Sequence, residues 1–174
     1  MPLDIRPPRP DELSLLEQIE NDADALLRDL LDPPTWWPAP TGAERAAEPG
    51  FLLVADVSGG EGEDAGESVI AGFVHVLEVD GHAHLEQLSM SPAHGRRGYG
   101  RKLVEAAMAY ARDRGHDRMS LRTFADVPWN APFYARLGFA VTEPRSGFEL
   151  MLVETENRMG LDALGPRVQM TAEL

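Results

Sequence analysis

A glycine-rich turn at residues 95–100 is the segment of this sequence best suited to bind an anion. It reads Gly-Arg-Arg-Gly-Tyr-Gly, follows a strand-like segment and opens into a helical pattern. Glycines let the backbone come close to a ligand, and the unpaired N–H groups and positive dipole end of the helix point toward it. The pattern therefore predicts a phosphate-binding turn. The alternative is a plain tight turn in which Gly98 and Gly100 only permit close packing of helix on strand.

Positive charge is concentrated around this turn, although the chain has a net charge of −13. Residues 96–118 hold seven of the sixteen basic residues against three acidic ones, so this segment carries +4 and the rest of the chain −17. Such a cluster favours a compact polyanion over a long nucleic acid, which requires an extended basic surface. The alternative is that Arg112, Arg114 and Arg118 only solvate the end of a helix.

Length and composition limit the remaining possibilities. With 174 residues, 43% of them hydrophobic, the chain is expected to form a single domain over 1–174 with a full core. It has no apolar run of about 18 residues, as a membrane span requires, and its first residues lack a signal-peptide core. We therefore expect a cytoplasmic protein with no membrane partner. The absence of cysteine excludes disulfides, thiolate nucleophiles and cysteine-based zinc sites.

The hydrophobic patterns predict an α/β fold with a mixed sheet of about seven strands. Asp11 is the predicted N-cap of the first helix, which Pro33 and Pro34 end. Early hairpins predict antiparallel strands, and strand–helix–strand connections on both sides of residue 118 predict some parallel pairing. The Gly-rich acidic segment 58–67 is interpreted as a hairpin loop. The predicted strands cover 3–6, 51–57, 69–79, 82–90, 118–124, 139–142 and 168–174. The first predicted helix runs from Asp11 past Leu30 to the prolines, and the other predicted helices cover 42–47, 98–115, 130–137 and 148–159.

The strand before the glycine turn shows an irregular hydrophobic spacing. Leu85, Leu88 and Met90 are three and then two residues apart, whereas a regular strand keeps a period of two. This break predicts a β-bulge at residues 86–88.

Two separated segments, 85–103 and 130–139, resemble signatures of the GNAT superfamily of acetyl-CoA-dependent N-acetyltransferases. The order of elements is similar over residues 3–174. The resemblance implies a GNAT-like fold whose fourth strand is bulged and splayed from its neighbour. One departure is Gly95, where the family usually has Gln or Arg. Because this loop binds phosphate chiefly through main-chain N–H groups, we expect binding to survive, with Arg96 or Arg97 supplying charge.

The resemblance implies acetyl-CoA as cosubstrate. Free backbone groups at residues 88–90 would bind the pantetheine arm and polarise the thioester carbonyl, as an oxyanion hole does. The glycine turn would hold the pyrophosphate, and His94 lies beside it. The cofactor-binding residues implied in this way are Leu88, Ser89, Met90, Gly95, Arg96, Arg97, Gly98, Tyr99, Gly100, Arg101, Asn130 and Phe133.

Two residues are candidates for proton transfer. The resemblance implies that Tyr134 protonates the departing CoA thiolate, a role that suits a phenol because it stays protonated at neutral pH. The alternative is a core aromatic residue with a satisfied hydroxyl. Glu86, beside the expected thioester position, is the candidate base that accepts the amine proton directly or through water. The alternatives are a structural carboxylate at the bulge and a chain of waters as base.

Other residues keep two interpretations each. His82 and His84 lie on one face of a strand and are candidates for a base or relay, or ordinary surface histidines near a turn. Without cysteine or a clear set of carboxylates, no metal site is expected. Trp36 and Trp37 either line the acceptor pocket or attach their loop to the core.

These observations favour an enzyme that transfers an acetyl group from acetyl-CoA to a primary amine by direct attack in a ternary complex. The alternative is a non-catalytic acyl-CoA-binding or sensing module, which would not need both Tyr134 and Glu86. A nucleotide binder unrelated to CoA is disfavoured, since the turn lacks the Gly-Lys-Ser/Thr ending and the dinucleotide glycine pattern. The acceptor is a small-molecule or peptide amine, and the acidic remainder of the chain favours a cationic one. The sequence is compatible with a homodimer.

Overall fold

The computed structural model describes residues 2–58 and 69–174 and contains a seven-stranded mixed sheet with helices on both faces. The predicted hairpin loop at 58–67 lies, beyond Ser58, outside the described residues. The strands are β1 (Asp4–Arg6), β2 (Gly50–Asp56), β3 (Ile70–Val79), β4 (His82–Met90), β5 (Arg118–Phe124), β6 (Ala140–Thr142) and β7 (Arg167–Glu173). The helices are α1 (Leu13–Leu31), α2 (Gly42–Ala47), α3 (Tyr99–Asp113), α4 (Ala131–Ala135) and α5 (Gly147–Arg158). The predicted α/β class and mixed sheet are confirmed.

The strands follow the order β1-β2-β3-β4-β5-β7-β6. Of the neighbouring pairs in the described sheet, only β4 and β5 are parallel, and α3 connects them. A second parallel pair was expected among the strands after residue 118, and the described strands contain none there. There β5 and β6 both pair antiparallel with β7, so they run in the same direction without touching as strands.

Alternation along β3 distributes side chains between the two faces of the sheet. Val74 and Val76 belong to the core under α3, together with Leu103 and Val104 of that helix. Phe73 points to the opposite face, where Leu16 and Ile19 of α1 pack on it. Burying each such side chain contributes about 1.5–3 kcal/mol, so both faces are anchored to the same strand.

Asp11 is not the N-cap of α1, and this prediction was wrong. A short 3-10 turn (Pro10–Glu12) precedes the helix and makes Glu12 its N-cap. The Glu12 carboxylate accepts hydrogen bonds from the backbone N–H of Arg9 at 2.7 Å and from the guanidinium of Arg6 at 2.7 and 2.8 Å. The glutamate side chain thus reaches back across the turn to Arg6 and Arg9.

The second half of α1 extends beyond the sheet. Leu16 and Ile19 are buried, whereas Leu26 and Leu30 on the same apolar stripe are 58% and 53% exposed. The helix ends as predicted before Pro33, with Asp32 in the left-handed region at φ 45°. Among the residues that the structure describes, no helix is both long enough and apolar enough to cross a membrane.

Candidate active site

The predicted bulge lies at Glu86. Val76 of β3 pairs with Leu85, but the next pair joins His75 to Gln87, so Glu86 has no partner across the ladder. The parallel pairing of β4 with β5 also ends at Leu85. Beyond that point β4 keeps β3 on one edge and has no described strand on the other. We call this opening between β4 and β5 the splay, and free backbone groups of β4 line it.

Residues 91–98 lead from β4 into α3, and we call them the phosphate loop after their predicted role. Arg96 and Gly98 both adopt left-handed conformations, at φ 60° and 78°. Gly98 is the N-cap of α3; no described side chain caps it, and no acidic residue lies in the first turn. The first bond that closes the helix runs from the N–H of Lys102 to the carbonyl of Gly98. Three backbone N–H groups before Lys102 are therefore available to an anion.

The three glycines of the predicted turn have different roles. A Cβ atom on Gly98 would meet no atom within 4 Å, so the space in front of this residue is open and its positive φ explains the glycine. A Cβ atom on Gly100 would lie 3.5 Å from Cγ of Met90 and 3.9 Å from Cζ of Phe133. Gly95 has an ordinary φ of −64°.

The predicted cofactor residues occupy neighbouring elements around the splay. Leu88, Met90, Tyr99 and Phe133 are partly buried against the core under α3. The Ser89 hydroxyl is buried and accepts a hydrogen bond from Gln87 at 3.0 Å. The N–H of Ser91 donates to the carbonyl of Ala71, so by alternation along the ladder the Ser89 backbone pairs with Phe73, and the backbone groups of Leu88 and Met90 face the splay. Of the remaining predicted residues, Arg96, Arg97 and Arg101 are exposed, and Asn130 is half-buried at the start of α4.

Tyr134 lies in the core under α3, with its ring edge-on to Phe133 at 5.1 Å and to Phe139 at 5.8 Å. Its ring therefore packs as the core alternative predicts. Its hydroxyl, however, makes no hydrogen bond to any other residue that the structure describes. Burial raises the pKa of Tyr134 above its usual value, so the phenol holds its proton.

The Glu86 carboxyl lies at the bulge. Its side chain is 40% exposed, so solvent reaches it, but the protein atoms around it are dense enough that burial raises its pKa. Negative charges on Glu156 and Glu48 act in the same direction, and the positive charges of Arg45 and Arg167 oppose it. A carboxyl with a raised pKa is better matched to accept a proton near neutral pH.

Two buried groups of charges flank Glu86. The α1 ion cluster consists of Glu20, Arg45 and His75: the Arg45 guanidinium contacts the Glu20 carboxylate at 2.6–3.1 Å and donates to Nδ1 of His75 at 3.1 Å. Burial, reinforced by the Arg45 charge, lowers the pKa of His75 to about 4. The imidazole is therefore neutral with its proton on Nε2, which has no hydrogen-bond partner in the described structure.

The α5 ion cluster consists of Arg122, Glu156 and Arg167. The Glu156 carboxylate accepts hydrogen bonds from Arg122 at 2.9 Å and Arg167 at 2.5 Å. Burial alone would raise the pKa of Glu156, but the two guanidinium groups outweigh it and the pKa is lowered. The six residues of both clusters were missed by sequence reasoning. The only signal was a charged Glu20 within the apolar stripe of α1.

His84 is buried, which contradicts its interpretation as a surface histidine. It is 3% exposed, and burial lowers its pKa to about 4. Its Nδ1 atom lies 2.9 Å from Oγ of Ser120, and its Nε2 atom lies 3.7 Å from the Glu86 carboxylate. His82 and His84 do share one face, since both rings contact Phe148.

Both tryptophans attach their loop to helices. Trp36 donates to the Asp24 carboxylate at 3.3 Å, and Trp37 donates to the carbonyl of Met159 at 3.4 Å. Burial raises the pKa of Asp24. Trp37 is still 57% exposed, so a role in lining an acceptor pocket stays a prediction.

Two concave surfaces of the described structure lie away from the splay. One is lined by residues that include Pro7, Phe51 and Tyr110. The other is a cleft of about 910 Å³ between the β3–β4 turn and the start of α5, with Ser120 and Thr171 in its wall. Neither includes a residue of the phosphate loop. The described residues contain no group of three or more histidines and carboxylates that could hold a metal ion.

Several solved structures have the same fold at low sequence identity. The ribosomal-protein-S18-alanine N-acetyltransferase of Escherichia coli is 19% identical, with 98% of this chain and 93% of that chain covered and a TM-score of 0.66. PaiA N-acetyltransferase of Thermoplasma acidophilum, solved with coenzyme A, is 15% identical, with 100% of both chains covered and a TM-score of 0.67. N-acetylglutamate synthase of Neisseria gonorrhoeae, solved with coenzyme A and N-acetyl-glutamate, is 13% identical over 100% of this chain and 35% of that chain, with a TM-score of 0.67.

The sequence itself matches a family model over residues 16–139, from α1 to the residue before β6. The match includes the bulge, the phosphate loop, α3 and α4. The chain belongs to the acetyltransferase (GNAT) family.

Proposed function

We propose that this protein transfers an acetyl group from acetyl-CoA to a primary amine, with both substrates bound at once. The observation that carries the proposal is the bulge at Glu86, which opens β4 beside the uncapped start of α3. Backbone donors on these two neighbouring elements, suited to an anion and to a carbonyl oxygen, support the proposal.

The residues around this path fit coenzyme A. The N–H groups at the start of α3 and the open space in front of Gly98 suit the pyrophosphate, because no side chain blocks the approach. The unpaired edge of β4 at residues 88–90 suits an extended arm with amide groups, which pairs as a short strand would. When bound, acetyl-CoA supplies an activated thioester. The N-acetyltransferase solved with coenzyme A has the same fold, which supports this assignment.

Glu86 is the proposed base. The amine must lose a proton as it becomes the amide nitrogen, and the Glu86 carboxylate stands at the mouth of the splay where that proton would be released. Its raised pKa strengthens it as a proton acceptor. The carboxylate, together with Asp24 on the same face of the sheet, favours a cationic acceptor, either a small molecule or a peptide amine.

Tyr134 is the proposed acid. Its hydroxyl has no hydrogen-bond acceptor among the described residues, and burial keeps its proton in place by raising its pKa. It therefore has a proton to donate to a thiolate that develops next to it. A module that only bound acyl-CoA would need neither group.

The test is a screen of small amines and short peptides for release of free thiol in the presence of acetyl-CoA. Because the chain contains no cysteine, every thiol detected comes from CoA. The expected result is an amine that accelerates thiol release above hydrolysis, with an N-acetylated product identified by mass spectrometry. The control is the Tyr134→Phe/Glu86→Gln double variant. Calorimetric binding of acetyl-CoA without turnover on any amine would favour the non-catalytic module, and absence of binding would overturn the proposal.

A further inference from the structure

A row of three polar side chains, Ser120, His84 and Glu86, lies at the bulge. Ser120 and His84 are opposite each other in the parallel register of β5 and β4, and their side chains meet at 2.9 Å between Oγ and Nδ1. The other ring nitrogen of His84, Nε2, is 3.7 Å from the nearer Glu86 oxygen. This gap is longer than a hydrogen bond, and a small rotation of the half-exposed Glu86 side chain closes it.

We propose that His84 and Ser120 are positioning residues that hold a hydrogen-bond partner for Glu86 in both of its protonation states. The proposal rests on the proposed function only where it treats Glu86 as the base. When Glu86 is a carboxylate, the Ser120 hydroxyl donates to Nδ1 of His84, and the proton of His84 sits on Nε2, facing the carboxylate. When Glu86 is protonated, its O–H donates to Nε2, and Nδ1–H donates to Oγ of Ser120.

Serine suits this task because a hydroxyl both donates and accepts. The imidazole changes only its tautomer between the two states, so no charge has to enter the interior. Burial lowers the pKa of His84 to about 4, so the ring is neutral at pH values near 7.

Ser120 and Glu86 are the two hydrogen-bonding groups that face the ring nitrogens of His84. Phe148 of α5 packs against the ring at 5.5 Å and offers no polar group. Four charged or titratable groups act on His84 electrostatically: His82 on β4, Arg122 on β5, and Glu149 and Glu156 on α5.

The Ser120 hydroxyl has a second place to donate a hydrogen bond. The residue is in the wall of the 910 Å³ cleft, so its hydroxyl can donate to water there when Nδ1–H donates to it. Loss of the hydroxyl would leave Nδ1 without a partner in a buried position. An unpaired buried N–H is rarer than an unpaired acceptor, so the ring would keep its proton on Nε2 and favour the ionised form of Glu86.

The test is a carbon-13 NMR titration of the Glu86 carboxyl in glutamate-labelled protein, with the signal assigned by its absence in Glu86→Gln. It requires no acceptor and no turnover. Ser120→Val removes the hydroxyl and fills the space that a replacing water would need, whereas Ser120→Thr introduces a side chain of the same shape as valine and keeps the hydroxyl. We expect Ser120→Val to lower the titration midpoint by about 0.5 pH unit, because a buried unpaired N–H in the protonated state costs more than an unpaired ring nitrogen in the ionised state, and Ser120→Thr to keep it.

Thr171→Val is the matched control. Thr171 is opposite Ser120 in the β5–β7 register and shares the same cleft, but its hydroxyl contacts Thr142 at 2.8 Å and not His84. We expect its midpoint to equal that of the wild type. His84→Phe is expected to raise the midpoint, because the carboxylate then loses its donor. If Ser120→Val does not fold, Ser120→Ala gives the same test with a smaller shift.

An unchanged or raised midpoint in folded Ser120→Val would overturn the proposal, as would an equal shift in Thr171→Val. The failure of the proposed function has a different signature. If the midpoint moves as expected but the acid limb of kcat/KM for an identified acceptor does not follow it, the positioning role stands and Glu86 is not the base.

Discussion

The two faces of the sheet at the splay are constructed by different kinds of interaction. On the α3 face, the proposed anion site consists of backbone N–H groups from one contiguous segment, and its geometry depends on left-handed residues and on the start of a helix. On the α1/α5 face, Glu86 stands between two ion clusters whose six members come from α1, α2, β3, β5, α5 and β7. Recognition of a constant ligand can thus rely on the main chain, whereas a site for a variable partner is assembled from distant side chains.

The energetic consequences also differ. A backbone cradle carries no net charge, so its cost is limited to conformational strain at one or two residues. A buried ion cluster must offset the desolvation of every charge it contains, and it does so only when all partners are present. The α1/α5 face should therefore be the more sensitive of the two to single substitutions, and the following predictions test that difference.

Arg45→Met should produce the largest change in stability. It leaves the Glu20 carboxylate buried without its partner, so the free energy of unfolding should fall by about 3–5 kcal/mol. Urea denaturation measures this effect. The double variant Glu20→Leu/Arg45→Met removes both charges and should recover most of the loss. The affinity of the folded Arg45→Met protein for CoA should stay unchanged, and a large drop would show that the two faces are not independent.

The sequence predicts the features of the α3 face better than those of the α1/α5 face. The bulge was visible in the spacing of Leu85, Leu88 and Met90, and the phosphate loop in its glycines, because both are local patterns. The contact between Arg45 and Glu20 joins residues 25 positions apart, and that between His84 and Ser120 residues 36 positions apart. Such contacts depend on how helices lie on the sheet and on strand register, which no local spacing encodes.

The two errors of the sequence analysis have different causes, one local and one distant. Asp11 has the residue type of an N-cap, but a 3-10 turn places it one residue before the N-cap position, where Glu12 lies with its carboxylate bonded to Arg6. His84 has the sequence surroundings of a turn-side histidine. It is buried because Phe148, from a helix far along the chain, covers it.

Tyr134→Phe tests the α3 face at the point of chemistry. Loss of the proposed acid should lower kcat by about 100-fold, a typical contribution of general acid catalysis. The affinity for CoA should change little, because the ring contacts with Phe133 and Phe139 do not involve the hydroxyl. Steady-state kinetics with an identified acceptor, together with calorimetry, separate the two. An unchanged kcat, with chemistry shown to be rate-limiting, would assign Tyr134 to the core alone.

Gly98→Val tests whether the cradle acts through the backbone. The substitution forces a β-branched residue into φ 78° and places a side chain in the open space before the loop. The affinity for CoA should fall by about 10- to 100-fold, given strain of roughly 1–3 kcal/mol and the blocked approach. Gly115→Val is the control, since Gly115 has a φ of 96° and equally open space at the other end of α3. If the affinity for CoA falls equally in both variants, Gly98 serves the fold of the protein and not the binding of CoA.

Glu86→Gln should give the smallest effect, and its pH dependence carries the information. Because the Glu86 side chain is 40% exposed, water takes over part of its role, and kcat/KM near neutral pH should fall by only about 10-fold. The pKa of Glu86 is raised, so the wild type loses its base as the pH falls through that value, while the Glu86→Gln variant has no base to lose. At high pH the acceptor is already neutral and the base matters less. The ratio of wild-type to variant kcat/KM should therefore be largest between the pKa of Glu86 and that of the amine. A ratio that is constant at every pH would mean that Glu86 orients the substrate without accepting its proton.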